Sequence, residues 1–215
     1  TRLSRGLGDV YKRQKYFYMK FLFDLGGVFF DWDPNYFFKN VFDDDEERKY
    51  FLTEVCNDQW NFQQDAGRSI AEAESELIPK FPHYENEIKM YYKNHRKMIR
   101  GTFEESIKVL RQLKDKNYKC YVLSNWSAET FEGIPIDYPF MQLFDGLLIS
   151  GEDKLIKPDQ AIYELAKKRF NLDPEETVFI DDKLENIEAA QKMNFKTIHL
   201  TDPKNIEMEI KKFLV

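Results

Sequence analysis

The sequence predicts an α/β doubly wound fold, a parallel sheet covered by helices on both faces, with a helical segment inserted after the first strand. Three observations predict it. A short apolar run ending in aspartate stands alone at residues 20–24. A charged, aromatic-rich stretch from about 34 to 100 comes next, with few strand signals. From Gly101 onward short apolar runs alternate with segments of helical period. The chain has 215 residues, 42% of them hydrophobic, which suits one such core with an inserted subdomain.

At the start of the chain, residues 1–18, TRLSRGLGDVYKRQKYFY, share no period with the residues after Met19 and lack the apolar core of a secretory signal. The peptide DVYKRQ at 9–14 resembles the translation of a transposon end, so 1–18 is expected to be a non-native or disordered extension, with Met19 as the natural start. KFLFD at 20–24, bounded by Gly26-Gly27, reads as a buried parallel strand. Within 34–100, Ile88, Tyr91, Tyr92, His95, Met98 and Ile99 fall at three- and four-residue steps and predict one helix face.

Thr102 and Glu105 have the spacing of a capping box, and Ile107, Leu110 and Leu113 supply the buried face of the helix behind it, ending near Asn117. KCYVLSN (119–125), FDGLLIS (144–150), TVFIDD (177–182) and FKTIHL (195–200) read as strands. Pro158 with Ala161, Ile162, Leu165 and Ala166 predicts a helix carrying proline near its first turn. Leu184, Ile187, Ala190 and Met193 predict another, and 203–214 a last amphipathic one. The expected division is a core of 19–33 with 101–215, and a helical insertion of 34–100.

Composition excludes several functions. No apolar run approaches the roughly 20 residues of a membrane helix, so the chain reads as soluble. Cys56 and Cys120 stand far apart in no metal spacing and read as reduced, buried thiols, which points to the cytoplasm. His83, His95 and His199 are scattered, against a zinc site. The net charge is −6, and removing 1–18 with its five basic residues and one acid takes it to −10, which disfavours nucleic acid. The oligomeric expectation is a monomer or homodimer. With 19 Phe and 12 Tyr, core and pocket walls must be built largely from rings.

In a doubly wound sheet the ligand crevice lies beyond the carboxyl ends of the strands. Three such ends carry polar residues: Asp24; Ser124 with Asn125; and Asp181 with Asp182. Were these strands neighbours, as many as three carboxylates would converge, and their repulsion demands positive charge. Mg2+ suits one or two carboxylates plus a substrate phosphate. Lys157 in LIKPD is placed to neutralise a nucleophilic carboxylate, and Ser124 and Asn125 can donate to phosphate oxygens. Gly26 and Gly27 let the backbone leave the sheet tightly behind Asp24.

These residues resemble the four motifs of the haloacid dehalogenase (HAD) superfamily: DLGGV at 24–28, SN at 124–125, Lys157 in KPD, and IDDKLEN at 180–186. The resemblance covers Met19 to about His199. It makes the core Rossmann-like and 34–100 a type I helical cap, and in texture it lies nearest sugar-1-phosphate phosphatases, whose first motif also reads DLG. It implies that Asp24 forms an aspartyl phosphate, that Asp24, the Gly26 carbonyl and Asp182 bind Mg2+, and that Asp181 supports or shares that ligation. The substrate class it implies is a small phosphorylated metabolite.

In the commonest phosphatase members a second aspartate, two residues after the nucleophile, protonates the leaving alcohol; here that position is Gly26. Asp31 and Asp33 are the nearest replacements in sequence, although Asp33 before Pro34 reads better as a turn residue. Family dehalogenases also lack the second aspartate, but they resemble metal-free enzymes, which leaves Asp181 and Asp182 without a purpose. A 2-haloacid dehalogenase and a non-catalytic phosphate- and metal-binding protein stand as the alternatives. In the insertion, Arg68 within DQWNFQQDAGRS (58–69) is a candidate substrate contact against a surface salt bridge. Trp60 is expected to pack inside the insertion, and Trp32 and Trp126, which flank two of the strand ends, either to wall the pocket or to join the core.

Overall fold

The structure, a computed structural model, describes residues 19–214; the expected extension at 1–18 lies outside them. Seven strands form: β1 Lys20–Phe23, β2 Phe30–Trp32, β3 Ile99–Thr102, β4 Lys119–Ser124, β5 Gly146–Ile149, β6 Thr177–Asp181 and β7 Lys196–His199. Five of them make a wholly parallel sheet in the order β5-β4-β1-β6-β7. All five strands expected from the apolar runs are present. β1 is central, so the chain builds outward on one side through β4 and β5 and then on the other through β6 and β7. The reversal puts the end of β1 between those of β4 and β6.

Alternation along each strand sorts side chains to two faces. Phe21, Phe23, Cys120, Val122, Val178 and Ile180 join one core with Ile107, Leu110 and Leu113 of helix Glu104–Asp115 and Ile206 and Ile210 of helix Ile206–Lys211. Leu22, Leu123, Leu148 and Phe179 join the other with Ile162, Tyr163 and Ala166 of helix Gln160–Phe170 and Ile187 and Ala190 of helix Leu184–Lys192. Both faces are thus sealed by helices, as an all-parallel sheet requires.

Residues 35–98 form short helices around a separate core of Phe38, Phe51, Val55, Trp60, Leu77, Ile88, Tyr91 and Met98. Local chemistry starts these helices: Asp44 and Asn57 accept from the amides three residues on, and Ser69 with Glu72 makes a complete capping box. Trp60 packs on Tyr91 and Tyr92, inside this unit as expected. The expected stripe is buried, but the helix stops at Lys93; a 3-10 turn, His95–Met98, carries His95 and Met98, and Ile99 opens β3.

Three local expectations are corrected. The two crossings between the helical unit and the sheet pair as an antiparallel ribbon, β2 with β3, which periodicity did not show because its partners lie about seventy residues apart. Thr102 ends that ribbon, so the capping box with Glu105 does not form; Phe103 takes the N-cap position and its amide donates to the Phe29 carbonyl. Pro158 lies outside its helix, which starts at Gln160, and the Lys157–Pro158 peptide is cis. Cys56 and Cys120 are buried free thiols. Among the described residues no helix is long and apolar enough to cross a membrane.

One ion cluster ties the sheet at the end opposite the crevice. Asp145 accepts from Lys119 Nζ (2.7 Å), the Cys120 amide (2.9 Å) and Lys114 Nζ. Burial alone would raise its carboxyl, but the two lysines and the amide hold it below its ordinary value. A depressed folded value means that its contribution is present above about pH 4 and lost as the pH falls through that lower value. Asp145→Asn is therefore expected to cost about 1–2 kcal/mol at neutral pH, with a smaller difference near about pH 3. Urea denaturation at both pH values measures this.

Candidate active site

A crevice of about 470 Å³ opens beyond the carboxyl ends of β1, β4 and β6, roofed by the helical unit. Its floor is Asp24, which leaves β1 with its amide still in the ladder, donating to the Ile180 carbonyl at 2.8 Å. The residue is only 7% exposed. Its Oδ1 accepts from the Leu25 amide (2.7 Å) and the Ser124 hydroxyl (2.6 Å) and lies 3.0 Å from Lys157 Nζ. Oδ2 takes no hydrogen bond among the described residues and is free toward the crevice.

Lys157 is 1% exposed, and its ammonium sits between Asp24 and Asp181, 2.6 Å from Asp181 Oδ2. Burial would lower its pKa, but Asp181 and Asp24 outweigh that and hold it above the ordinary lysine value. Asn125 fixes the backbone beneath it, accepting from the Lys157 amide and donating to the Lys157 carbonyl, both at 2.9 Å. Asp181 is saturated: the Lys183 amide and Asn186 Nδ2 occupy Oδ1, while Lys157 and Asn186 occupy Oδ2.

Asp182 is partly exposed and has only Lys183 Nζ, at 3.9 Å, as an ionic partner among the described residues. Carboxylate oxygens of Asp24, Asp181 and Asp182 lie within 4.8 Å of one another. Three such groups around one buried ammonium leave two formal negative charges. The cost appears in the acids themselves: burial, opposed by Lys157 but reinforced by Asp181 and Asp182, pushes Asp24 up to about 7. Burial and Asp181 raise Asp182 likewise.

The donor set fits a small, hard dication: all-oxygen, with the Asp24 carboxylate, an underpartnered Asp182 and the Gly26 carbonyl, which accepts no hydrogen bond among the described residues. Gly27 makes the cradle possible. Its φ is +66°, and a Cβ there would stand 2.6 Å from both Cγ and Oδ2 of Asp182. A Cβ on Gly26 would meet nothing within 4 Å.

The expected residues Asp24, Gly26, Asn125, Lys157, Asp181 and Asp182 are thus brought together. Two details differ from the sequence expectation. Ser124 commits its one hydroxyl proton to Asp24, and Asn125 spends one amide N–H on Lys157, leaving only the second for a ligand. Of the two readings of Arg68 the structure has the salt bridge: in the turn between helices Asp58–Asp65 and Ile70–Leu77 it pairs with Glu76 at 2.6 Å and Gln64 at 2.7 Å, and it is not among the crevice residues. Asp33 caps Asn35, and Asp31, though at the crevice, is engaged by Tyr36 and Arg100.

Trp32 and Trp126 do line the crevice, with Phe30, Phe62 and Phe103. Three further lining residues were not expected from the sequence. Asn186 lies within IDDKLEN, Asp65 within DQWNFQQDAGRS, and His95 within the apolar stripe. His95 stacks on Trp32 and lies tilted against Trp126, and burial lowers its pKa to about 4, so it is neutral.

Comparison with known proteins places this geometry. The sesquiterpene phosphatase astK of Aspergillus oryzae is 28% identical over 193 residues, 90% of this chain and 95% of that protein. An (S)-2-haloacid dehalogenase of Pseudomonas sp. is 28% identical over 108 residues, covering 50% of this chain and 47% of that one. A HAD family enzyme of Bacteroides thetaiotaomicron, solved in complex with magnesium and inorganic phosphate, superposes with a TM-score of 0.64 at 24% identity, over 84% of this chain and 92% of that one. The haloacid dehalogenase-like hydrolase model matches residues 20–194. With that span covering β1, β4, β5 and β6 of the sheet and every strand end that builds the crevice, the chain belongs to the haloacid dehalogenase-like hydrolases.

Proposed function

We propose that the protein is a magnesium-dependent phosphatase of small phosphate monoesters, with residues 34–100 as the cap over its crevice. The observation that carries this reading is the charge imbalance: three carboxylates against one buried ammonium, with oxygens left free on the two that face the opening. Such a site favours a dication and, with it, an anionic substrate. Bound there through Asp24, the Gly26 carbonyl and Asp182, magnesium would supply electrostatic stabilisation of charge on the phosphoryl oxygens.

Asp24 Oδ2 attacks phosphorus in line, while Oδ1 stays anchored by Ser124 and the Leu25 amide, so the carboxylate cannot turn away. Lys157 meets the negative charge carried by the phosphoryl group, and Asp181, saturated, holds that lysine in place. Water then cleaves the aspartyl phosphate and restores Asp24. The alcohol portion of the substrate lies along the aromatic wall of Trp32, Phe62 and Trp126. Terpenoid alcohols suit such rings, as the sesquiterpene phosphatase relative suggests, and sugars stack on them through their C–H faces.

Phosphate release from a panel of sugar phosphates and terpenyl monophosphates, with Mg2+ and with chelator, tests this. Magnesium-dependent release is expected, and the preferred alcohol identifies what the cap reads. Metal-independent halide release from 2-haloacids, with no phosphate release, would replace the reading with the dehalogenase. Gly27→Ala adds a further check: its Cβ displaces Asp182, and the half-saturating Mg2+ concentration is expected to rise about 10- to 100-fold, measured by activity and by isothermal titration.

A further inference from the structure

The crevice contains acids beyond those expected to hold the metal, and one is placed to replace the proton donor absent at Gly26. Asp31 is tied to Arg100 and Tyr36, Asp58 and Glu185 are exposed to solvent, and His95 is neutral. That leaves Asp65, the last residue of helix Asp58–Asp65.

Its position is fixed from both sides of the opening. The Asp65 carboxyl accepts from Asn61 Nδ2 of its own helix at 3.2 Å and lies near the Ser127 amide of the loop after β4. Its backbone carbonyl accepts from the Ser150 hydroxyl at 2.6 Å, at the end of β5. The helical unit is thereby pinned to the sheet at the residue that enters the crevice.

The surroundings favour the protonated carboxyl. Asp65 sits at a helix C-terminus, where a negative charge is disfavoured. Arg68, the nearest cation in sequence, is turned away to Gln64 and Glu76. Tyr91 and Tyr92 lie on the same side and bring no positive charge, and Asp24 lines the same crevice. Burial, opposed by the Ser127 amide and reinforced by Asp24, raises it to about 7, a value suited to proton transfer near neutrality.

We propose that Asp65, delivered by the helical unit, is the acid and base of the reaction, taking the place of the carboxylate missing at Gly26. This rests on the phosphatase reading. As the bond from phosphorus to the ester oxygen breaks, that oxygen takes the Asp65 proton and leaves as a neutral alcohol, while Asp24 Oδ2 forms its bond to phosphorus. The Asp65 carboxylate then takes a proton from water as the water oxygen attacks phosphorus, the bond to Asp24 breaks, and phosphate departs. Asp24 is left as carboxylate and Asp65 again as acid.

The test compares two esters by kcat/KM, which reports the first transfer. An alkyl phosphate leaves as a basic alkoxide and needs the proton; p-nitrophenyl phosphate leaves as a stable phenolate and does not. Asp65→Asn keeps the size of the side chain and one acceptor oxygen. It is expected to lower the alkyl value about 10²- to 10⁴-fold and the p-nitrophenyl value by less than about tenfold. Adding Gly26→Asp, for which the site has room, is expected to return the alkyl value toward the wild type.

Equal losses on the two esters, or no loss on either, would overturn the proposal and leave the phosphatase standing. A wild-type enzyme that released phosphate from neither would overturn both.

Discussion

Replacing Asp24 by asparagine is expected to lower phosphate release on the order of 10⁴- to 10⁶-fold, the range found when a hydrolase loses a central catalytic side chain. An amide oxygen can still accept from the Leu25 amide and Ser124, which hold Oδ1 at 2.7 and 2.6 Å. The substitution removes the charge that performs the attack and little of the framework. It also removes one of three crowded carboxylates, so the variant should melt no lower than the parent. Steady-state turnover with parallel thermal melts checks both halves. Turnover above background in a folded Asp24→Asn protein would withdraw the nucleophile from this position.

Lys157→Met should have the opposite balance, inactivating the enzyme and also destabilising it. The ammonium is wholly buried between Asp24 and Asp181. Its removal leaves buried carboxylates uncompensated, which costs about 3–5 kcal/mol. In a chain of this size that is a fall of about 6–20 °C in Tm. A dication that binds only the folded site restores about 2.7 kcal/mol at a hundredfold excess over its Kd, so Mg2+ should recover part of the fall. Melts with chelator and with Mg2+ give the comparison. An unchanged Tm in chelator would mean that the lysine is not the counter-charge that its position implies.

The contrast between these variants reflects how local each signal is. Asp24, Asp181 and Asp182 were legible because a buried strand ending in a carboxylate is marked within five residues: the apolar run stops and a charge begins. Lys157 was legible through its neighbours in KPD. The order β5-β4-β1-β6-β7 was needed to make those ends one site, and it was reached in the sequence only as a condition on strand adjacency. Ser124 was placed correctly at its strand end, but its hydrogen bond to Asp24 is a matter of a single rotamer. Thr102 shows the opposite failure. Its capping-box spacing was real, yet pairing of β3 with β2 took the residue first.

By itself, the sequence determined the alternating strands and helices, the two-sided burial of the sheet, the chemistry at three strand ends and the absence of a carboxylate at Gly26. These are consequences of period and residue type, which act over a few positions. Only the tertiary structure decided that Asp181 is saturated while Asp182 is open, that a Cβ on Gly27 would collide with Asp182, and that Asp65 enters the crevice while Arg68 does not. Each depends on groups the fold sets face to face, Lys157 against Asp181, the turn after β1 against Asp182 and the end of helix Asp58–Asp65 against Ser150, and such pairs are too far apart in sequence to leave a local mark.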